Sequence, residues 1–573
     1  MRLQWWRRPS RKRPRTVPEH QRAYAIGIDF GTESGRVVVL DLHGGAELSC
    51  EVVPYPSLVI DRVLPSTRES LAYDWALQDP DDWQLVVDRG VPAAIATAGI
   101  DSGEVIGIGV DFTCCTVLPV AADGTPLCRL DQWRSHPHAW PKLWKHHAAQ
   151  YVADRLNEVA HERSEPFIAR YGGKISSEWY FPKLIQIWLE DREVYEESAR
   201  FIEALDWIVW YMSGNERRAA CSAGYKALWS PDDGLPPVDY FTAAYPGFDD
   251  PAAKLGTEFF ALGTAAGTLR EEVAARLGLN TSVAIAVGNV DSFVSTPGCG
   301  VTDPTTFVIV IGTSICDVVV HDDQVLVPGI TGVVKEGVLP GMYGYESGQP
   351  AVGDMLAWFV GLFDADRNGT RYAELEREAA QVRPGSTGML ALDWWNGNRT
   401  ILADADLSGV IAGLTLRTQP AEIYRTLLES IAFGSRRIMD NFEDHGLRLE
   451  QIVACGGIAE KSPLTMQLLA DTSGRRVVVP ASTLIPARGA ALFGAVAAGR
   501  EAGGFGDIME AIEALSPGVG ATYEPDPKAV SIYEDVYRLY RELHDSLGRE
   551  HVELLHGLKR IREQVNARET VPL

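Results

Sequence analysis

The sequence predicts an α/β protein made of two similar domains that face each other. Three observations carry this reading. The chain has 573 residues, more than a single core holds at roughly 100–200 residues per domain. Strand-like and helix-like stretches alternate along most of it, as in sheets flanked by helices. One strand–glycine turn–strand signature also occurs twice. Phe30–Asp41 (FGTESGRVVVLD) and Ile311–Asp322 (IGTSICDVVVHD) share six of twelve positions at a spacing of 281 residues. A period that long excludes a solenoid and points to duplicated domains.

Tyr24–Asp29 and Arg36–Asp41 read as Val/Ile/Leu-rich strands around turn residues. EVIGIGVDFT (104–113) and TVLPVAADGTPL (116–127) are further strands, the second containing an Asp123-Gly124 turn. Helical patterns are expected over 138–160, 181–192 and 198–212, within a first domain that ends near residue 297. Thr305 opens the second strand–turn–strand unit. There follow a helix around 420–444, a strand at 451–457, a helix at 463–473, a strand at 475–480 and an Ala/Gly-rich helix at 487–499. Ser462-Pro463 is a good start for the 463–473 helix, an N-cap followed by proline at the first helical position. Apolar residues at 532, 536, 540, 543, 547, 554, 558, 561 and 565 keep helical spacing, so one or two amphipathic helices are expected to pack on the second domain. The expected division is a basic extension at 1–22, a first domain at 23–297 and a second at 298–573.

Composition narrows the function. A net charge of −24 and a pI near 5.0 argue against nucleic acid as the main partner, which needs a basic footprint. No apolar run approaches the ~18–20 residues that span a bilayer. The eight cysteines are scattered without a C-x-x-C pair, which suits reduced thiols in the cytoplasm. The first 22 residues are strongly basic, but no apolar segment follows Arg7-Arg8. A disordered tail, or a start codon placed too far upstream, is therefore expected there rather than a targeting signal.

Several residues are suited to phosphate chemistry. Gly31-Thr32 and Gly312-Thr313-Ser314 each offer backbone N–H groups and hydroxyls, and as a matched pair they suggest a phosphate clamp. Asp29, at a strand end, suits a Mg²⁺-bound water, and Arg36 suits phosphate charge. ACGGIAEKSP holds a Gly456-Gly457 turn against which a flat ligand can lie. Asp291, after an apolar strand, is placed like a base for a hydroxyl proton, although a turn or N-cap Asp would look the same. HPHAWPKLWKHH (136–147) brings four histidines close in sequence. No Cys or carboxylate pattern completes a ligand set, and the Trp and Leu spacing suggests a partly buried helix.

The paired turns and the later Gly-Gly turn resemble the actin-like ATPase superfamily. Within it, GIDFGTESGRVVV, GVDFTCCTVLPV, HAWPKLWKHHAAQ, VGNVDS, IGTSICD, YGYESGQPAVGDMLAWF, DWWNGNRT, GVIAGLTL and CGGIAEKSP resemble the FGGY carbohydrate kinases across about residues 23–555. That resemblance implies two ribonuclease-H-like domains with an active-site cleft between them, ATP and Mg²⁺ bound there, and a ketopentose as the other small-molecule partner. KLWKHHAAQ and YESGQPAVGD point to ribulose, phosphorylated at its 5-hydroxyl, rather than glycerol or xylulose. The resemblance makes Asp291 the general base and places Asp29, Gly31 and Thr32 at the first phosphate turn and Gly312-Thr313 at the second. Gly456, Gly457 and Lys461 fall where the family contacts adenosine. Lys226 and Glu346 fall where it holds the sugar, with Cys114 lining the same pocket. It implies neither nucleic acid nor membrane as partner and leaves a homodimer open. The chain departs from the family pattern at Ser292 and Phe293, where Ala-His is usual, and at Asp317, where a His is usual.

Overall fold

The computed structural model describes residues 22–363 and 370–569, so the basic extension falls almost wholly outside them. Two seven-stranded sheets organise the chain. The first contains β1 (Tyr24–Phe30), β2 (Ser34–Asp41), β3 (Glu47–Pro54), β4 (Val105–Phe112), β5 (Ala265–Thr268), β6 (Ala284–Ala286) and β7 (Asn289–Val290). Their order is β3-β2-β1-β4-β6-β5, with β7 also paired to β4. The second contains β8 (Thr306–Ile311), β9 (Ile315–His321), β10 (Gly332–Lys335), β11 (Tyr343–Gln349), β12 (Gln451–Cys455), β13 (Arg476–Pro480) and β14 (Val519–Tyr523), in the order β10-β11-β9-β8-β12-β13-β14. Apart from the edge strand β10, the first four strands follow the same order in both sheets; the last two differ, because the antiparallel edge strand β5 precedes its neighbour β6 in the chain whereas β14 follows its neighbour β13. In each, three antiparallel strands are extended by two parallel ones and an antiparallel edge. The short sequence match is thus the visible trace of two whole sheets of one design.

The helices that position the site are α1 (Ala220–Lys226), α2 (Asp291–Gly298), α3 (Pro420–Asp444), α4 (Gly457–Lys461), α5 (Pro463–Ser473), α6 (Ile485–Ala498), α7 (Pro527–Asp545) and α8 (Glu553–Glu569). Every residue of β1 is buried, as expected of a central strand covered on both faces. One cover comes from far along the chain, because α6 lies directly on β1 and β4. A Cβ on Gly27 would stand 1.7 Å from the carbonyl oxygen of Ala487, and one on Gly109 1.8 Å from that of Ala490. Only glycine permits that approach. Gly109→Val is therefore expected to force the helix off the sheet and cost about 1–3 kcal/mol or more. A thermal melt unchanged from wild type would contradict the contact. The closing helix α7 packs Tyr533, Tyr537 and Tyr540 around Phe433 of α3, in the core of the second sheet.

Some local expectations differ from the structure. The helix expected over 138–160 starts only at Gln150. Pro137 and Pro141 interrupt the preceding stretch, whose backbone pairs elsewhere: Lys142 and Val117 exchange hydrogen bonds of 2.8 and 3.0 Å. The pattern at 198–212 opens as a short strand, Arg200–Glu203, before the helix Ala204–Ser213. The strand expected to reach residue 457 ends at Cys455, because Gly456, at φ 94°, turns the chain into α4. All eight cysteines are free thiols. Among the described residues no helix is long and apolar enough to cross a membrane.

Candidate active site

Each glycine turn is closed by a hydrogen bond from its glycine, the first across three residues and the second across two. Gly31 N–H donates to the Ser34 carbonyl at 3.0 Å, and Gly312 N–H to that of Ser314 at 2.9 Å. Thr32 is held on both its groups: Trp144 Nε1 donates to its Oγ1 at 3.1 Å, and Gln78 Nε2 to its carbonyl at 2.8 Å. Gly312 and Thr313 are exposed, and no atom lies within 4 Å of where a Cβ on Gly312 or Gly457 would stand. The second turn and the Gly-Gly turn therefore open onto free space. The two halves confront each other here. Glu460 on α4 feels the charges of its neighbour Lys461 and of Arg36 on β2. Asp354, which follows the second turn, feels Lys145 from the first half. Arg36, expected to meet phosphate, is already paired, with its Nη1 3.1 Å from Asp29 Oδ2.

Carboxylates gather at the ends of the first sheet's central strands. Asp29 and Asp111 are in register on the parallel strands β1 and β4, and Asn289 on β7 pairs with Asp111 from the other side. Asp291 is the first residue of α2 and accepts from the Ser292 N–H at 2.6 Å. Burial raises the Asp29 carboxyl above its usual range, with Arg36 opposing. Burial, then the charges of Asp29 and Asp291, hold Asp111 far above that range. Burial, then Asp29, push Asp291 up to about 7, against the pull of the Ser292 N–H and Lys226. Both oxygens of Asp111 are buried and accept no hydrogen bond among the described residues. The oxygens of Asp29, Asp111 and Asp291 do not all lie within 4.8 Å of one another, so the group suits a cation held through water rather than by direct ligation from all three.

Beyond Asp291 lies a buried polar cluster assembled from both halves. Lys226, the last residue of α1, meets Glu346 of β11 with Nζ 2.5 Å from Oε2. Cys114, just past β4, is close enough to Lys226 for each to shift the other's ionisation. Glu178 accepts from His147 Nε2 at 3.0 Å and lies 3.7 Å from Arg399 of the second half. Although burial opposes it, Arg399 and His147 hold Glu178 down to about 2. The four histidines do not converge: His136 faces Asp191, His138 Glu190, His146 Gln186 and His147 Glu178. Among the described residues no metal-ligand cluster forms from them. Phe293 is fully buried against Tyr225, ring centroids 4.1 Å apart, and Asp317 is fully buried beside Ser347.

Comparison with known proteins gives the family and the fold. The family described as "FGGY family of carbohydrate kinases, C-terminal domain" matches residues 307–498. The ribulokinase of Anoxybacillus flavithermus is 47% identical over 553 residues, covering 95% of this chain and 98% of its own. That of Halalkalibacterium halodurans is 47% identical over 548 residues, covering 94% and 97%. The chain belongs to the FGGY carbohydrate kinases. The crystal structure of xylulose kinase from Rhodospirillum rubrum superposes with a TM-score of 0.74 at 22% identity, covering 91% of this chain and 99% of that one, which shows the shared fold.

Reading the sequence missed Asp111, Asn289, Glu178 and Arg399 of this FGGY kinase. A signal existed for the first. Gly27-Ile28-Asp29-Phe30 recurs as Gly109-Val110-Asp111-Phe112, and the two phenylalanines stack 4.9 Å apart. Nothing local marks Glu178 or Arg399, because only the meeting of distant segments pairs them.

Proposed function

We propose that this FGGY kinase transfers the γ-phosphoryl group of ATP to the 5-hydroxyl of ribulose, L-ribulose above all, as the first halves and second halves of the chain (23–297 and 298–573) close on the two substrates in the cytoplasm. The observation that carries the proposal is the placement of Asp291 between two features. On one side is Asp29, which leads into the Gly31-Thr32 turn, and on the other is the Lys226–Glu346 pair; Asp291 feels the charges of all three. Asp291 takes the proton of the sugar hydroxyl as the new O–P bond forms and the bond from the γ-phosphorus to ADP breaks, so ADP leaves with the electron pair. The turn amides of Gly31-Thr32 and Gly312-Thr313-Ser314 hold the phosphates, and Gly456, Gly457 and Lys461 border the adenosine. Lys226, Glu346 and Cys114 orient the ketose. A divalent cation, when bound, supplies charge neutralisation at the phosphates, and Asp29 would hold it through water.

The test is ADP release with L-ribulose, D-ribulose, ribitol and xylulose. The highest kcat/KM is expected for L-ribulose. A higher value for another pentulose or pentitol would reassign the substrate. ADP release indifferent to any sugar would point instead to an actin-like ATPase without a sugar acceptor.

A further inference from the structure

We propose that Asp111 is a third carboxylate of the cation site, facing the bound water of the divalent ion alongside Asp29 and Asp291. The inference rests on the kinase reading and adds a residue to it. Asp111 is 0% exposed, and the side chain it faces is another acid, Asp29, so neither of its oxygens accepts from a donor among the described residues. A buried carboxylate left unsatisfied costs stability, so its presence calls for a ligand that meets it.

The duplicated fold shows whether the scaffold itself needs the group. The spacing that superposes the two turns puts Val310 where the first half has Asp29. The register of β8 on β12 then puts Cys455 where β1 and β4 have Asp111. The second sheet builds the same strand pair from an apolar residue and a thiol. The two carboxylates are therefore a property of the site, not a requirement of the fold.

Asn289 gives an independent sign. It is in register with Asp111 through β7, is 1% exposed, and its Nδ2 donates to nothing among the described residues. An open donor on a residue in register with open acceptors marks a place for bound water. Charge balance agrees. Ionised by a bound cation, against the burial that otherwise favours their protonated forms, Asp29, Asp111 and Asp291 would bring three negative charges and Arg36 return one, while Lys226 is occupied by Glu346. The two charges left over are those one divalent cation carries, and carboxylate and water oxygens are the ligands Mg²⁺ takes.

The isosteric change Asp111→Asn removes the charge and little else. Mn²⁺ is titrated into wild type and variant, each with ADP, and free Mn²⁺ is read by electron paramagnetic resonance. The variant is expected to bind Mn²⁺ about 10–100-fold more weakly. Its melting temperature without cation should equal or exceed that of wild type, because the amide avoids the cost of a buried acid that burial and Asp29 keep from ionising. Asp111→Cys is the second variant, since the second sheet already accommodates a cysteine at the equivalent place, and it should weaken Mn²⁺ binding in the same way. Wild-type Mn²⁺ affinity in either folded variant overturns the proposal. Ribulose-dependent ADP release by the wild type is assayed separately. Its absence would undo the kinase reading while leaving the Mn²⁺ result standing.

Discussion

Asp291→Asn is expected to lower kcat by about 10²–10⁴-fold, the range a general base supplies, while ATP affinity stays within a few-fold of wild type. The variant keeps the shape of the side chain and its place at the start of α2, so a loss of turnover cannot be put down to a displaced helix. Stability moves the other way. Burial and the charge of Asp29 already penalise the ionised carboxyl, so the amide should melt at or above the wild-type temperature. The pH dependence follows from the same environment. A base works only when ionised, and Asp291 is pushed up to about 7, so kcat/KM for ATP, which reads the free enzyme, is retained above pH 7 and lost tenfold per unit as pH falls below it. A bound cation favours the ionised form, so kcat should persist to lower pH than kcat/KM. The residual rate of Asp291→Asn should show no such step. Activity of Asp291→Asn within a few-fold of wild type, or an unchanged pH profile in it, would remove the residue from the role of base.

The sequence made local features legible and left the meetings between distant ones hidden. The helix expected around 420–444 is Pro420–Asp444, because proline opens it and Gln419 and Glu422 cap each other's backbone, all within a few residues. The strand arms of both glycine turns were visible for the same reason: Val, Ile and Leu flank a turn that glycine and hydroxyl residues mark. The stretch at 138–149 misled, since its Trp and Leu spacing imitates a helix while Pro137 and Pro141 forbid one. The contact of α6 with β1 joins residues more than 450 apart, so the glycines at 27 and 109 could be seen but the helix they admit could not. The sugar side was the least legible. Lys226 and Glu346 are ordinary charged residues until the two halves fold together, and only the resemblance of AGYKALW and YESGQ to a family singled them out.

That pair carries the second large expectation. Lys226→Met should destabilise the fold by about 3–5 kcal/mol, because it strands Glu346 as an unpaired buried charge. The side chains of the pair are only 4% and 11% exposed, and their contact links α1 of the first half to β11 of the second. Burial works against the charge on Lys226, but the charge and hydrogen bond of Glu346, together with Cys114 and Cys115, more than offset it and raise its pKa above the usual lysine range. The pair is therefore coupled strongly enough for a double-mutant cycle to read. Lys226→Met combined with Glu346→Gln removes both charges and should recover most of the lost stability. If the pair orients the ketose as proposed, it should not recover the sugar, since a methionine and an amide cannot reproduce an ammonium and a carboxylate toward its hydroxyls, and KM for L-ribulose should stay raised in both variants. The two readouts separate structure from recognition. Strictly additive losses of melting temperature would show that the two charges do not stabilise each other. Wild-type KM in the double variant would show that they hold the two halves together and leave the substrate to other residues.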